Sequence, residues 1–408
     1  MNNNDDKASP KTAITALHIA PTPFFSDRGC HMRIKGVIGA LGRRNIHSVL
    51  CTYSLGRDVA GIETVRTMGI PGYTKVSAGP SPFKYLADIL LFFKICGQIM
   101  KRQPPLIHAH LHEGALLAWA ARMCFFWKKI DIVFDMQGSL VGELEAHGYF
   151  NKMKFLRRLF WFIEYLITRM PDYFVCSSEN SINILREEFN VNPEDIRLAN
   201  DGVDLNEPNV NKINRIRQEL AVPSNVPVVI YSGALQEVKG LSNLCDTILA
   251  ARQRGLQCHF VIVGYPEQSM IEFADNNDLQ DYCTMTGRVP FEALSNYLAL
   301  ASVAIEPKKS DSGEASGKLL NYMGAGLPVI CFDTPNNRQL LQDCGYYADV
   351  KEAASNGETQ LVDQLALVLE NGAEARQRGE QGRQRVVTQY SWDATVGGIY
   401  DIYQKCLT

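Results

Sequence analysis

Two stretches of the 408-residue chain carry the residue types best suited to work on a phosphorylated ligand: GALQEVKG at 233–240 and EASGKLLNYMGAGLP at 314–328. Each follows a short apolar run, VVIYSG before the first and ASVAIEP before the second, and each leads into a helical pattern. Both therefore open helix N-termini toward one edge of a parallel sheet. Free backbone N–H groups and the positive end of the helix dipole suit a diphosphate, and Lys239 and Lys318 add mobile positive charge at the two mouths. The pair describes a nucleotide-diphosphate site. Glu314 sets a carboxylate beside it, which equips the site to help that diphosphate leave from a sugar.

Such loops need a scaffold, and the chain repeats one alternation of apolar runs and helical patterns in both halves, as two doubly wound α/β domains require. The pattern predicts strands at Ala13–Ile19, His47–Thr52, Leu106–Ala109, Ile130–Phe134 and Tyr173–Cys176 in the first half. In the second it predicts Pro227–Tyr231, His259–Val263, Cys283–Thr286, Val303–Ile305 and Val329–Cys331. Residues 1–12 read as a disordered polar tail, 13–205 as one domain and 206–390 as the other. The Asn- and Pro-rich stretch from Asp204 to Pro227 reads as the linker. Residues 391–408 carry Trp392, Ile399, Tyr400 and Tyr403 on a helical spacing and are expected to cross back onto the first domain.

A content of 46% hydrophobic and 21% charged residues supplies material for two cores. A net charge of −3 carries no general signal for nucleic acid, and no nucleic-acid partner is expected. The charge is unevenly shared: residues 1–204 hold 24 Lys/Arg against 20 Asp/Glu, and the remainder 17 against 24. A basic first half suits an anionic membrane surface or substrate. The eleven cysteines are scattered without a C-x-x-C pair, which indicates neither a zinc site nor a disulfide framework and suits a reducing cytosol. Neither a signal peptide nor a run of roughly 18 apolar residues is present. The stretch from Tyr85 to Met100 comes nearest, and Asp88, Lys94 and Gln98 interrupt it.

The order of short motifs then carries a resemblance. G-x-x-x-R (Gly29 to Arg33), H-A-H (His108 to His110), D-x-x-G (Asp135 to Gly138), V-C-S-S (Val175 to Ser178) and N-x-G-V-D (Asn200 to Asp204) are followed by S-G-x-L-x-x-x-K-G, V-G, G-R-V and the Glu314 to Pro328 block. Over almost the whole chain this order resembles the retaining glycosyltransferases of family 4. The resemblance implies the GT-B fold, in which two Rossmann-like domains face each other across a cleft, the second holding the sugar nucleotide and the first shaping the acceptor site. It implies transfer of a sugar from a UDP- or GDP-linked donor to a glycan or polyprenyl-linked acceptor in cell-surface polysaccharide assembly. Retention of configuration, no metal and no cofactor are implied with it; the nucleotide sugar is a substrate.

Residue by residue, the resemblance assigns Lys239 to the diphosphate, where it would stabilise the departing nucleotide, with Gly233 and Gly240 keeping the backbone close. Otherwise Lys239 is an ordinary exposed helix start. Gly287, Arg288 and Val289 resemble the segment that meets the base. Glu314 falls near the first acidic position of the family's E-x7-E pattern; Asp311 is a rival, because anchoring on YMGAG points nearer Gly313. Ser316, Gly317 and Leu319 belong to the same donor-side segment. Asn321 stands where a second Glu is usual and offers a ribose hydroxyl an amide instead. Ala234 replaces a usual Arg, and Lys318 is placed to restore that charge. In the first half, Gly29 would let acceptor and phosphate approach closely, while Arg28, His31 and Arg33 either bind an anionic acceptor or are surface charges. Gln137, where a His is common, offers a polar sugar contact. His108, His110 and His112 imitate a metal set, but a helix starting near Gly114 breaks their common face, and no metal is expected.

The segment from Lys152 to Arg169 sets Phe155, Leu156, Leu159, Phe160, Ile163, Leu166 and Ile167 on one helical stripe behind a basic start, with Trp161 and Phe162 outside it. Residues 125–129 add a second basic and aromatic patch. Either is a surface for the inner leaflet of a membrane or a layer of the fold. The expected location is cytoplasmic, at the inner membrane face if these patches dock. Two other readings remain open: a catalytically inactive GT-B partner protein, suggested by Ala234, Gln137 and Asn321, and a sugar-nucleotide epimerase.

Overall fold

The computed structural model describes residues 14–26, 29–76, 81–146, 149–150, 154–309, 317–350 and 360–407. The first domain is built on β1 (Ile14–Ala20), β2 (Ile46–Thr52), β3 (Glu63–Arg66), β4 (Leu106–His110), β5 (Asp131–Met136), β6 (Tyr173–Cys176) and β7 (Ile196–Leu198), in the order β3-β2-β1-β4-β5-β6-β7. The second is built on β8 (Val228–Ala234), β9 (His259–Tyr265), β10 (Cys283–Met285), β11 (Val303–Glu306), β12 (Val329–Phe332) and β13 (Gly345–Ala348), in the order β10-β9-β8-β11-β12-β13. The pairings are parallel in both sheets. Strand order reverses between β1 and β4 and again between β8 and β11. At such switch points a crevice opens beyond the carboxyl ends of the strands, and that is where open α/β sheets bind ligands.

All ten strands expected from the pattern occur, with ends moved by up to three residues. The pattern does not signal β3, β7 and β13, whose sequences ETVR, IRL and GYYA are too short or too mixed to alternate clearly. The expected linker is also partly helical. Val210–Glu219 forms a helix capped by Asn209, whose side chain accepts from the Lys212 backbone N–H, and the Asn209 N–H in turn donates to Asn296.

In the first domain the sheet buries both faces. Leu17, Ile19, Ile107 and Phe134 face the layer of α1's opposite side, formed by α2 (Phe83–Arg102), α3 (Leu111–Cys124) and α5 (Phe155–Ile167). Ala16, Leu106, Val133 and Val175 alternate with them and face α1 (Gly29–Arg43) and the C-terminal helices, as the two-residue period of a strand dictates. Those last helices, Trp392–Thr395 and Gly397–Cys406, cross back as expected and bury Trp392, Ile399, Ile402 and Tyr403 on the first domain. Close approach of the Trp392 indole explains Gly36 and Gly202: a Cβ at either would lie 2.0 Å and 2.6 Å from the ring respectively.

The stripe expected on α5 is only half buried. Ile167 and Glu164 point inward, whereas Phe155, Leu159, Phe162 and Leu166 are exposed. Trp161 is not surplus: it stacks on Tyr165 and contacts Phe189. The buried Glu164 accepts from the backbone N–H groups of Leu140 and Val141, satisfying the first turn of α4 (Leu140–Ala146).

Candidate active site

The second domain sets its cationic side chains on either side of the β8/β11 switch point. Beyond β8 the chain turns through Gly233, with φ of +147°, to a short 3-10 turn, Glu237–Lys239, and then to Gly240, with φ of +85°, which caps the helix Leu241–Gln253. A Cβ on Gly240 would lie 2.3 Å from the Pro307 carbonyl oxygen. Only glycine meets both demands, so the β8 loop rests directly on the β11 loop. Lys239 is half-buried at the end of that turn.

From the β11 side, Lys318 lies in the first turn of the helix Gly317–Gly324. Its Nζ is 3.1 Å from the Glu306 carboxylate and 4.4 Å from the centre of the Tyr231 ring. The packing above it is close, since a Cβ on Gly233 would stand 3.1 Å from Lys318 Cε. The helix is tied to β8 by the Tyr322 hydroxyl, which accepts from the Ser232 N–H at 2.7 Å. Lys239 and Lys318, expected to share the diphosphate, thus come from the turn after β8 and the helix after β11, on either side of one switch point.

Other expected donor-side residues divide. Asp311, Glu314 and Ser316 lie outside the described residues. Asn321 donates one Nδ2–H to the Gly317 carbonyl at 2.7 Å, inside its own helix. Leu319 is wholly buried in the core, which limits a ligand contact at that position to the backbone. Gly287 has φ of +66° beside Glu267, and Val289 packs against the core. Arg288 reaches across the cleft to the Ser26 carbonyl at 3.4 Å, near the Arg57–Glu292 ion pair at 3.0 Å that also joins the domains. The sequence reading overlooked Glu306 and Tyr231. A glutamate closing the apolar strand ASVAIEP is the signal that marks the first; nothing distinguishes Tyr231 from an ordinary core tyrosine.

The first domain meets the cleft with a closed buried network. Arg33 binds both oxygens of Asp135, the closest contact at 2.7 Å, and also the Ala199 carbonyl and Asp201. His110 Nδ1 lies 2.9 Å from Asp135 and Gln137 Nε2 3.0 Å from it. His18 Nδ1 approaches His110 Nε2 at 3.1 Å, and the Tyr403 hydroxyl bridges His18 Nε2 and His108 Nδ1. The three imidazoles are stacked with centroids 4.6–5.3 Å apart. One proton assignment satisfies the chain: His110 Nδ1–H donates to Asp135, His18 Nδ1–H to His110, Tyr403 O–H to His18, and His108 Nδ1–H to Tyr403. His18 and His108 are neutral in it. Burial, reinforced by the neighbouring histidines, holds His18 and His108 well below the usual histidine range. Burial works to raise the Asp135 carboxyl, yet the Arg33 guanidinium and His110 outweigh it and hold the group well below the carboxylate range.

These contacts correct two expectations. Arg33 is neither a surface charge nor an anion ligand but the buried counter-ion of Asp135. His31 is equally buried, accepting from the Ser26 N–H and bonded to Thr22. Arg28 lies outside the described residues. Gly29 opens α1, and a Cβ there would meet nothing within 4 Å. His112 faces Glu164, away from the other two histidines. His108, His110 and Asp135 do bring ligand atoms within 4.8 Å of one another. Both His110 nitrogens and both Asp135 oxygens are already engaged, however, and Arg33 supplies the positive charge. Gln137, anchored on Asp135 and half-exposed, carries this network to the cleft.

Comparison with known proteins agrees with this geometry. Residues 29–207 match glycosyltransferase family 4, and residues 212–385 match glycosyl transferases group 1. The chain belongs to the family 4 glycosyltransferases of GT-B fold. Sucrose-phosphate synthase from Thermosynechococcus elongatus superposes with a TM-score of 0.77 at 19% identity, covering 97% of this chain and 99% of that one. Anabaena Alr3699/HepE in complex with UDP and glucose superposes with a TM-score of 0.73 at 14% identity, covering 96% and 99%. At such identities the likeness is one of fold. An MMP alpha-(1->4)-mannosyltransferase of Mycolicibacterium hassiacum is 25% identical over 271 residues, which is 65% of this chain and 62% of that protein. The chain thus matches less than two thirds of that relative's length.

Proposed function

We propose that this protein transfers a sugar, with retention of configuration and without a metal ion, from a nucleotide-diphosphate donor to a glycan or lipid-linked acceptor in cell-surface glycan assembly. The observation that carries the reading is the convergence of the Lys239 loop and the Lys318 helix on the β8/β11 switch point. Breaking the bond between the anomeric carbon and the diphosphate oxygen leaves positive charge on the sugar and added negative charge on the nucleotide. Lys239, Lys318 and two helix N-termini answer the second. The acceptor oxygen bonds to the anomeric carbon from the same face, and its proton passes to the departing phosphate oxygen. The complexes of HepE with UDP and UDP-glucose favour a uridine donor.

The test is turnover of UDP- and GDP-sugars, with hydrolysis counted as well as transfer. A donor should be consumed, and Lys239→Ala should lower kcat by on the order of 100-fold, the usual effect of removing one group that stabilises transition-state charge. Undiminished turnover in that variant would remove the assigned role. Failure of every donor would favour an inactive partner protein.

A further inference from the structure

The outer surface of the α2, α3 and α5 layer is apolar where a helix layer of this fold ordinarily meets water. On α2, Tyr85, Ile89 and Phe93 recur every four residues and are exposed, Tyr85 to 76%. Phe155, Leu159, Phe162 and Leu166 are exposed on α5 at spacings of three and four residues, Phe155 to 70%. Past the end of α3, Phe126 (78% exposed) and Trp127 project from the turn while Phe125 anchors it in the core. The inner faces of the same helices bury Leu91, Ile95, Ala118 and Ile167 against the sheet, so the fold does not need the outward residues. Between α2 and α3 lies a shallow groove of about 320 Å³ bordered by Ile89, Phe92, Phe93 and Leu117, with Asp88, which is bonded to the Tyr53 hydroxyl, at its edge. Exposed apolar residues gathered on neighbouring helices of one layer mark an interaction site.

Charge identifies the partner. Lys154, Arg157 and Arg158 stand at the start of α5, and Lys101, Lys128 and Lys129 at the opposite end of the layer. A second copy docking through the same face about a two-fold axis would set such basic groups against one another. An anionic bilayer satisfies them: aromatics enter the interface and cations meet lipid phosphates. Among the described residues no helix is long and apolar enough to cross a membrane, and the surface is one of contact.

We propose that the outer face of α2, α3 and α5 docks on an anionic lipid bilayer, with the α2–α3 groove taking up acyl chain. Helix α5 begins, and strands β4 and β5 end, on the cleft side of the domain, so docking holds the cleft mouth beside the lipid phosphates. That orientation would present a lipid-linked acceptor, a consequence that rests on the transferase reading above; the docking itself does not.

Flotation of the full chain with phosphatidylcholine vesicles, with and without phosphatidylglycerol, tests it. The wild type should float with the anionic vesicles. Replacing Lys128 and Lys129 by Gln should reduce partitioning roughly 25-fold at low ionic strength, taking about fivefold for each basic residue near an anionic surface. Phe126→Glu with Trp127→Glu should lower it further, while donor hydrolysis without lipid stays unchanged in both variants. Absence of wild-type flotation, flotation indifferent to both variants, or a solution dimer that both variants dissociate would each overturn the proposal. Binding without any donor turnover would sink the transferase reading and leave docking standing; turnover without binding would do the reverse.

Discussion

Acidification from pH 7 to pH 5 should destabilise the first domain through its histidine stack, and the size of the effect follows from burial. His18 and His108 are wholly buried and held well below the usual histidine range by desolvation first, then by neighbouring histidines, His108 and His110 for His18 and His110 for His108. Unfolded, each regains a pKa of about 6.5. Below that value the unfolded chain binds more protons than the folded one. Stability is therefore fully present above about pH 6.5 and drains away as pH falls, at up to about 1.4 kcal/mol per pH unit for each ring. Between pH 7 and 5 the integrated loss is about 2 kcal/mol per histidine and roughly 4 kcal/mol for the two. Asp135 acts in another window: its carboxyl is depressed, so its contribution persists above the unfolded carboxylate range and is lost only in stronger acid. All four tryptophans, Trp119, Trp127, Trp161 and Trp392, belong to the first domain or pack on it. Tryptophan fluorescence in urea titrations at a series of pH values thus reports this domain selectively. His108→Gln should halve the slope against pH, whatever it does to stability at pH 7. A midpoint that stays constant from pH 7 to 5, or an unchanged slope in the variant, would refute a neutral buried stack.

Arg33→Met should cost the first domain about 3–5 kcal/mol by leaving Asp135 buried without its guanidinium, and adding Asp135→Asn should restore part of it; both are read from the same urea titrations. Lys318→Ala should weaken UDP binding by ten- to a hundredfold in isothermal titration calorimetry, the loss of one charge-assisted contact of roughly 1.5–3 kcal/mol, and an unchanged Kd would remove Lys318 from the site.

How much could be read from the residues depended on how local the signal was. The two-sheet architecture was legible because ten strands are apolar runs bounded by loops, and the crossing helix because its aromatics repeat at helical spacing. The edge strands β3, β7 and β13 were not, since three or four residues owe their pairing to the neighbour rather than to their own pattern. Gly240 and Lys239 were legible from one short motif. Arg33 was misread because its partners, Asp135 and Asp201, lie more than a hundred residues away, and no periodicity reports a contact made through tertiary folding. The stripe on α5 was left open between surface and fold layer for a related reason: apolar spacing does not say which apolar residues meet the core.

A contrast between the two domains bears on the proposed placement of the donor's phosphates. Each domain carries a basic group paired with a buried carboxylate at the carboxyl end of a strand: Arg33 with Asp135 in the first, Lys318 with Glu306 in the second. Arg33 makes contacts with two carboxylates and a carbonyl, and its side chain is 2% exposed. Turning it toward a ligand would strand Asp135 in the core at several kcal/mol. Lys318 is 17% exposed, bound to one carboxylate by a flexible stem, and lies at the start of a helix. Its ammonium can add a phosphate oxygen without leaving Glu306, because it carries three donors. A committed cation on one wall of the cleft and an available one on the other therefore support the proposed placement of the donor's phosphates on the second domain.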